Sequence, residues 1–153
     1  GVDCAFFYNP KLFELTNSKL VPYVYINDTV HKTRGFLIAS GNIAGEKMHF
    51  IVNHWPSRAA TSPARERAGE QVRAIKDSLL REDSAAKIVI MGDMNDDPMD
   101  KSMAVALGAK RKPADVGPTD LYNPWWDTLK KGYGTLMYKG KWNLFDQIVF
   151  TGN

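Results

Sequence analysis

The sequence predicts one α/β domain in which β-strands are mixed with a few helices. The spacing of the apolar residues switches repeatedly along the chain between a period of two, typical of strands, and about 3.6, typical of helices. The chain has 153 residues, of which 44% are hydrophobic and 24% charged, as is ordinary for a globular domain with a sizeable core. No repeat, low-complexity tract or linker divides it, so residues 1–153 are expected to form a single domain.

Composition narrows the function classes only slightly. No window approaches the roughly 18 unbroken apolar residues of a membrane span. The start GVDCAFFYNP lacks the basic region and cleavage site of a signal peptide, which leaves the compartment open. Cys4 is the single cysteine, so no internal disulfide forms, and it is expected to be a small apolar residue in a strand. The net charge of +3 permits an anionic substrate without indicating nucleic-acid binding.

The first half of the chain predicts three strands. VDCAFFY (2–8) has the composition of a strand that ends at the turn Asn9-Pro10. TRGFLIAS (33–40) and KMHFIVNHW (47–55) are predicted to pair as a hairpin. The connection SGNIAGE supplies the turn-forming residues, which are Gly41, Asn42 and Gly45.

A long helix is predicted next, with Ser62 as its N-cap and Pro63 in its first turn. Its apolar face is formed by Ala64, Ala68, Val72, Ile75 and Leu79. Its charged face carries Arg65, Glu66, Glu70, Lys76 and Arg81. Such a charged face is usually solvated, and no function is assigned to it.

The second half predicts two further strands and a helix. KIVIM (87–91) is an apolar strand, and a short helix fits residues 100–107 with Gly108 as its stop. Residues 109–142 contain three prolines, several glycines and two adjacent tryptophans, and are predicted to form long loops that border a cleft. NLFDQIVF (143–150) is the last predicted strand.

The KIVIM strand runs directly into acidic residues in KIVIMGDMNDDP. An EF-hand calcium loop would use Asp93, Asn95 and Asp97, but its sixth and twelfth positions would be Pro98 and Ala104 instead of glycine and glutamate. A polar turn, in which Asp and Asn side chains bond the backbone, accounts for Asp96, Asp97 and Pro98. It accounts less well for Asp93, whose carboxylate follows the carboxyl end of a strand that is apolar on both faces. Ligands gather at such ends in α/β sheets.

A second strand ends in a similar way in KMHFIVNHWPSR. Alternation places Met48, Phe50 and Val52 on one face, and His54 continues that face at the strand end, with Ser57 and Arg58 following. An imidazole, a guanidinium and an Asp-x-Asn pair at two strand ends are the groups that a phosphate site requires. His31 and His49 lack comparable surroundings and are expected to be surface or strand residues.

These motifs, in this order, resemble the endonuclease/exonuclease/phosphatase superfamily, to which deoxyribonuclease I belongs. The resemblance rests on NHWPSR, a helix, IVIMGDMNDDP and a strand with WNLFDQIVF, and it covers nearly the whole chain. It implies a four-layer α-β-β-α sandwich of two mixed β-sheets with outer helices. It also implies phosphoester hydrolysis that depends on Mg²⁺ or Mn²⁺.

Matching the motifs residue by residue gives each candidate a role that the resemblance implies. Asp93 would be the base or water-orienting carboxylate and the metal ligand, and Asn95 would donate its amide to phosphate or water. His54 would contact the scissile phosphate, and Asp146 would orient a second histidine. Arg34 and Arg58 would bind the phosphate, although a salt bridge is an equally good reading for Arg34. Gln147 departs from the His, Arg or Tyr that many members carry after the aspartate.

The resemblance further implies segments that residues 1–153 do not contain. Members begin with a strand that ends in asparagine, continue to a glutamate that is the main metal ligand, and finish with a Ser-Asp-His strand. The chain is therefore expected to be an incomplete domain and to be inactive alone.

Other functions stay open from the sequence. A noncatalytic binding domain that keeps the fold is the main alternative, and a structural calcium site is another. The substrate could be nucleic acid, a sugar phosphate or a lipid phosphate. Three further features are assigned weakly or not at all, namely the basic run Lys110, Arg111 and Lys112, the pair Trp125 and Trp126, and the sequon Asn27-Asp28-Thr29.

Overall fold

One seven-stranded mixed sheet forms the framework in the computed structural model, which describes residues 3–25 and 33–153. The strands are β1 (Glu14–Val21), β2 (Phe36–Ile43), β3 (Glu46–His54), β4 (Lys87–Asp93), β5 (Ala109–Lys110), β6 (Leu121–Tyr122), β7 (Leu136–Tyr138), β8 (Lys141–Asn143) and β9 (Asp146–Thr151). Their order in the large sheet is β1-β2-β3-β4-β9-β6-β5, and β7 pairs with β8 in a separate hairpin. The pairs β3–β4 and β5–β6 are parallel, and the other pairs are antiparallel.

The predicted β2–β3 hairpin is confirmed. Its turn is Ala44-Gly45, and both residues have positive φ (50° and 83°), as the two-residue hairpin turn that matches strand twist requires. Gly41 and Asn42 lie inside β2 and are not part of the turn.

Helix α1 (Ser62–Glu82) connects β3 to β4 and packs on one face of the sheet. Its N-cap is Thr61, so the prediction of Ser62 as N-cap is wrong by one residue; Ser62 instead donates a side-chain hydrogen bond to Glu66. Pro63 lies in the first turn as predicted. The core between helix and sheet is built from apolar residues that include Ala68, Val72, Leu80, Ile51, Ile88, Ile90 and Val149.

The prediction that the charged face of this helix is solvated is wrong at two positions. Arg65 and Lys76 are each only 5% exposed. Lys76 Nζ donates to the carbonyl of Thr119 (2.7 Å) and pairs with Asp77 (2.9 Å). These two cations can be buried because each bonds backbone carbonyl groups outside α1.

The predicted strand at residues 2–8 is wrong for residues 3–8, which form no strand. They lie in irregular backbone, where Cys4 is partly buried and the Phe6 ring packs 5.0 Å from that of Phe50. The first strand is instead β1, whose sequence ELTNSKLV lacks strict alternation and whose residues are mostly exposed because it forms the sheet edge.

The remaining elements follow the predicted order with shifted ends. A short helix is predicted at residues 100–107. The structure has a π-helix at residues 102–107, with Gly108 as its C-cap. Residues 109–142, predicted as loops, also contain four short strands, a 3₁₀ turn (113–115) and helix α2 (Trp125–Lys130). The last strand begins at Asp146, three residues later than predicted. In the described part of the chain, no helix is long and apolar enough to span a membrane.

Candidate active site

Three of the predicted site residues form one row across neighbouring strands. His54 ends β3 and is directly opposite Asp93, which ends β4, while Asp93 is directly opposite Asp146, which begins β9. Opposed residues on adjacent strands present their side chains on the same face of the sheet. This face is the one turned away from α1, because the alternating neighbours Asn53 and Gln147 are buried on the helix side.

Asp93 is bonded locally and also reaches toward His54. Its Oδ1 accepts a hydrogen bond from the backbone N–H of Asn95 (2.9 Å), and its Oδ2 lies 3.7 Å from His54 Nε2. The second distance is too long for a hydrogen bond. The two side chains are 35% and 25% exposed, so solvent reaches both.

Gly92 allows β4 to approach β3 closely just before Asp93. Its φ is +133°, and a Cβ atom there would lie 1.9 Å from the carbonyl oxygen of Asn53. Only glycine combines this backbone angle with so close an approach. The Met-Gly-Asp exit of the strand therefore fixes where the Asp93 carboxylate sits beside His54.

Asn95 is held in the left-handed region by its surroundings. Its φ is 51°, a conformation that asparagine tolerates better than most residues. Its Nδ2 donates to the carbonyl oxygen of Trp55 (2.9 Å), which leaves the second N–H of the same amide for another acceptor.

The two predicted phosphate-binding arginines contact the site mainly through its backbone. Arg34 Nε donates to the carbonyl of His54 (3.1 Å), and Arg34 Nη2 donates to that of Trp55 (3.2 Å). Arg58 Nε donates to the carbonyl of Asn95 (3.1 Å), and the Arg58 guanidinium lies 4.7 Å from the centre of the Phe145 ring.

Arg58 is also surrounded by carboxylates. Its Nη2 lies 2.8 Å from Asp100, 3.3 Å from Asp96 and 3.7 Å from Asp97. These acids belong to the loop that follows β4 (residues 94–100), here called the acidic loop, and they compensate the charge of Arg58. Arg58 therefore adds little positive potential and mainly connects the acidic loop to the segment that follows β3.

Asp96 and Asp97 are buried, and their carboxylates bond groups outside the turn rather than the turn's own backbone. Asp97 Oδ1 accepts from the backbone N–H of Leu144 (2.7 Å), and Asp96 Oδ2 accepts from Ser102 Oγ (2.7 Å). Burial is the main cause that raises the pKa of both carboxyl groups, opposed by these hydrogen bonds and by nearby arginines.

Arg65 is a residue that sequence reasoning missed. Its Nε lies 2.9 Å from Asp96 Oδ1, with its N–H directed off the line of a hydrogen bond, and its Nη1 donates to the carbonyls of Ser57 (2.9 Å) and Ala60 (3.2 Å). It thereby joins α1 to both segments that carry the candidate residues. Nothing in the local pattern distinguishes it from the exposed cations of the same helix.

Gln147 lies on the opposite face of β9 from Asp146. It is 1% exposed, its Nε2 donates to the carbonyls of Asp96 (2.7 Å) and Leu144 (3.0 Å), and its Oε1 accepts from Asn123 Nδ2 (2.9 Å). Because side chains alternate along a strand, Gln147 follows Asp146 on the face of the sheet that α1 covers. In this chain the Gln147 side chain holds the acidic loop in place through its hydrogen bond to the carbonyl of Asp96.

The remaining candidates lie away from the row. His49 is a buried strand residue, and its Nδ1 lies 2.6 Å from Ser40 Oγ. Lys110 pairs with Asp120, Arg111 pairs with Asp127, and Trp125 Nε1 donates to the carbonyl of Ile148. The sequon at residues 27–29 and His31 lie outside the described residues.

The sequence matches the Endonuclease/Exonuclease/phosphatase family over residues 1–153. The chain belongs to this family. No curated protein matches it at a significant level.

Solved structures resemble the chain in fold at low identity. Truncated Caenorhabditis elegans TDP2 aligns with a TM-score of 0.64 and 18% identity over 94% of this chain and 54% of that one. The human Nocturnin catalytic domain with bound sulfate anion aligns with a TM-score of 0.63 and 15% identity over 92% of this chain and 49% of that one. The mannosyl-6-phosphatase Bt3783 of Bacteroides thetaiotaomicron VPI-5482 aligns with a TM-score of 0.63 and 14% identity over 94% of this chain and 55% of that one.

These likenesses confirm the predicted deoxyribonuclease I-like α/β fold. The chain spans about half the length of the solved structures that it matches.

The site offers a divalent metal ion the partly exposed carboxylate of Asp93. Mg²⁺ prefers oxygen ligands and is often bound by one or two carboxylates together with substrate and water. Asp93 fits as one such ligand, since its carboxylate is an oxygen donor that solvent reaches. Among the described residues, no group of three or more His, Cys, Asp or Glu side chains comes together to hold an ion.

Proposed function

We propose that the protein to which this chain belongs hydrolyses a phosphoester bond with an activated water molecule. Membership of the family supports phosphoesterase or nuclease-type hydrolysis in general. The observation that carries the proposal for this chain is the row of His54, Asp93 and Asp146, with Asn95 bonded to Asp93 at its edge.

Each residue of the row has a chemical task in this proposal. Asp93 orients the attacking water and takes its proton, since its Oδ2 is the carboxylate oxygen turned toward the His54 side of the row. His54 Nε2 and the second N–H of the Asn95 amide donate to nonbridging phosphate oxygens, where charge develops in the transition state. Asp146 orients a partner group that lies outside residues 1–153.

The proposal includes a divalent cation, Mg²⁺ or Mn²⁺, because a negatively charged phosphate would otherwise lie beside negatively charged carboxylates. Asp93 and Asp146 are neighbours across two strands, and the charge of Arg58 is compensated by three acids. A phosphate that enters this region meets two carboxylates, and the Arg34 guanidinium, bonded to the carbonyls of His54 and Trp55, offsets one of these charges. A bound cation with Asp93 as ligand would supply the missing positive charge and acidify water.

We also propose that the complete domain is longer than residues 1–153 and supplies further ligands and a catalytic histidine. On this proposal the isolated chain does not hydrolyse phosphoesters, because groups that act as a unit lose activity steeply when members are missing. The measurement is hydrolysis of a generic phosphodiester by residues 1–153 and by a longer protein that includes the flanking segments, with and without Mg²⁺ or Mn²⁺. Comparable metal-stimulated rates would contradict it.

The experiment that tests the assigned roles compares Asp93, at the end of β4, with Asp97, in the loop that follows, in the active protein. Asp93→Asn should lower the metal-stimulated kcat by about a hundredfold or more, since general bases contribute roughly 10²–10⁴-fold. Asp97→Asn should leave kcat within a few-fold, because the amide oxygen can still accept from the Leu144 N–H. Equal losses would indicate a merely structural loop, and unchanged kcat in both would mean that the catalytic site lies elsewhere. Absence of metal-stimulated hydrolysis in the unmodified protein with its flanking segments would favour a noncatalytic domain that keeps the fold.

A further inference from the structure

A pocket of about 540 Å³ opens directly beside the candidate site. Its lining includes Arg58, Asn95, Leu136, Tyr138, Asn143 and Phe145. Asn95 belongs to both, because its backbone N–H is bonded to Asp93 and the residue lines the pocket. A group bound in the pocket is therefore a neighbour of whatever binds at Asp93.

The outer wall of the pocket is the β7–β8 hairpin, which is joined to the start of β9. Thr135 Oγ1 accepts from the backbone N–H groups of Phe145 (3.1 Å) and Asp146 (3.3 Å), and Thr135 N–H donates to the carbonyl of Asn143 (2.9 Å). Leu136 and Tyr138 are two residues apart on β7 and so share one face, the one that lines the pocket. The wall thus has a fixed position relative to Asp146.

The chemistry of the lining selects the kind of group that fits. Leu136, Tyr138 and Phe145 offer apolar and aromatic surface, and the amides of Asn95 and Asn143 offer both donors and acceptors. Arg58, which forms part of the wall, packs on Phe145 and is charge-compensated. A flat ring with polar atoms at its edge satisfies both kinds of surface, whereas a polyhydroxyl ring would place hydroxyl groups against apolar side chains.

We propose that this pocket binds a nucleobase-like heteroaromatic ring attached to the phosphoester, which makes nucleotides the substrate class. The inference rests on the proposed function, since it takes the phosphate to lie at Asp93 and Asn95. The ring stacks on Tyr138, which is 62% exposed and has the Lys139 ammonium 5.3 Å from its ring centre, and the edge of the bound ring bonds the Asn143 amide.

The test is binding, measured on ¹⁵N-labelled chain with Mg²⁺ present, by the shifts of the Asn95 and Asn143 side-chain amides. Adenosine monophosphate should bind about tenfold tighter than methyl phosphate, since one stacked base contributes roughly 1–3 kcal/mol. Adenosine alone should move the Asn143 resonances more than those of Asn95. Glucose 6-phosphate should bind no tighter than methyl phosphate.

Matched tyrosine variants locate the effect. Tyr138→Ala should remove the preference for adenosine monophosphate over methyl phosphate, and Tyr138→Phe should restore it. Tyr133→Ala is the control, because Tyr133 is similarly exposed (67%) but does not line the pocket. Folding of each variant is checked by the unchanged amide spectrum outside the hairpin.

Each contrary outcome has a distinct meaning. Equal binding of adenosine monophosphate and methyl phosphate, or a preference that survives Tyr138→Ala, would overturn the ring pocket. Tighter binding of glucose 6-phosphate would overturn it in favour of a sugar subsite. Adenosine shifts at Asn143 without binding of any phosphate, also in the longer protein that includes the flanking segments, would uphold the pocket and contradict the proposed function instead.

Discussion

Gly92 is the residue on which the spacing of β3 and β4 at the site depends. In Gly92→Ala, a Cβ 1.9 Å from the Asn53 carbonyl oxygen would push the strands apart and would hold an unfavourable φ of +133°. We expect a loss of roughly 3 kcal/mol in the free energy of unfolding, from strain and overpacking together. The measurement is urea unfolding.

The control for this substitution is Gly45→Ala in the β2–β3 turn. Gly45 also has a positive φ (83°), but a Cβ there meets no atom within 4 Å. Only the backbone penalty of about 1–2 kcal/mol then applies. Equal losses at the two positions would show that the close approach at Gly92 is relaxed at little cost.

His49 makes stability depend on pH near neutrality. Burial lowers its pKa from the model-peptide value of 6.5, so the folded state binds the proton less readily than the unfolded state. In the window below pH 6.5, down to the folded pKa, the unfolded chain carries more protons, and the free energy of unfolding therefore falls as pH falls. The stability contributed by neutral His49 is fully present above pH 6.5.

The corresponding variant is His49→Gln, which keeps a polar partner for Ser40 without a titrating ring. Its free energy of unfolding should change less between pH 7.5 and pH 5.5 than that of the unmodified chain. These two pH values lie about one unit above and below the ordinary histidine pKa. Parallel pH profiles in the two proteins would remove His49 as the cause.

At the scale of elements, the Arg65–Asp96 pair connects helix α1 to the acidic loop. Both residues are nearly inaccessible, at 5% and 3% exposure. Arg65→Met would leave Asp96 buried with Arg58 as its remaining cationic partner, and breaking a buried pair from one side typically costs about 3–5 kcal/mol. Arg73→Met, at an exposed position of the same helix, should cost under about 0.5 kcal/mol in the same unfolding assay.

The pH dependence separates lost charge pairing from lost packing in that variant. Asp96 has a folded pKa raised above 3.8, mainly by burial, so its ionised form costs stability that is recovered as pH falls through the folded pKa. Without Arg65 that pKa should rise further. The deficit of Arg65→Met should therefore shrink as the pH is lowered from 7 toward 5, whereas a deficit independent of pH would point to packing alone.

Elements with a clear apolar period were predictable, and elements defined by tertiary contacts were not. The β2–β3 hairpin, helix α1 and strand β4 have patterns that local chemistry determines. Strand β1 was missed because its exposed residues give no alternation and its pairing with β2 is a long-range event. Residues 3–8 have strand-like composition but pack as irregular chain, with Phe6 against Phe50.

At the scale of the molecule, the nearness of His54 and Asp93 could be anticipated because parallel β3 and β4 end at the same sheet edge, whereas the place of Asp146 beside them was implied by the family resemblance. The supporting residues could not be anticipated. Arg65 and Gln147 resemble ordinary surface residues in sequence, and only the fold shows that their acceptors lie on the acidic loop.

The sheet face that carries this row also carries an apolar row across five strands. Register places Leu20, Leu37, Val52, Met91 and Ile148 side by side. Its two end members are 57% and 43% exposed, and Phe150 on the same face is 39% exposed. Contiguous apolar surface of this kind is normally covered by another part of a protein or by a second molecule.

We therefore expect the isolated chain to self-associate reversibly through this face, and sedimentation equilibrium over a series of concentrations measures it. Ile148→Lys adds a charge in the row and should weaken association by about tenfold or more, since an unpaired charge would be desolvated at the contact. Val105→Lys is the control, because Val105 is also exposed (61%) but lies on the π-helix that packs against α1. If the unmodified chain stays monomeric at every concentration, or if Val105→Lys weakens association equally, the apolar row is not the contact.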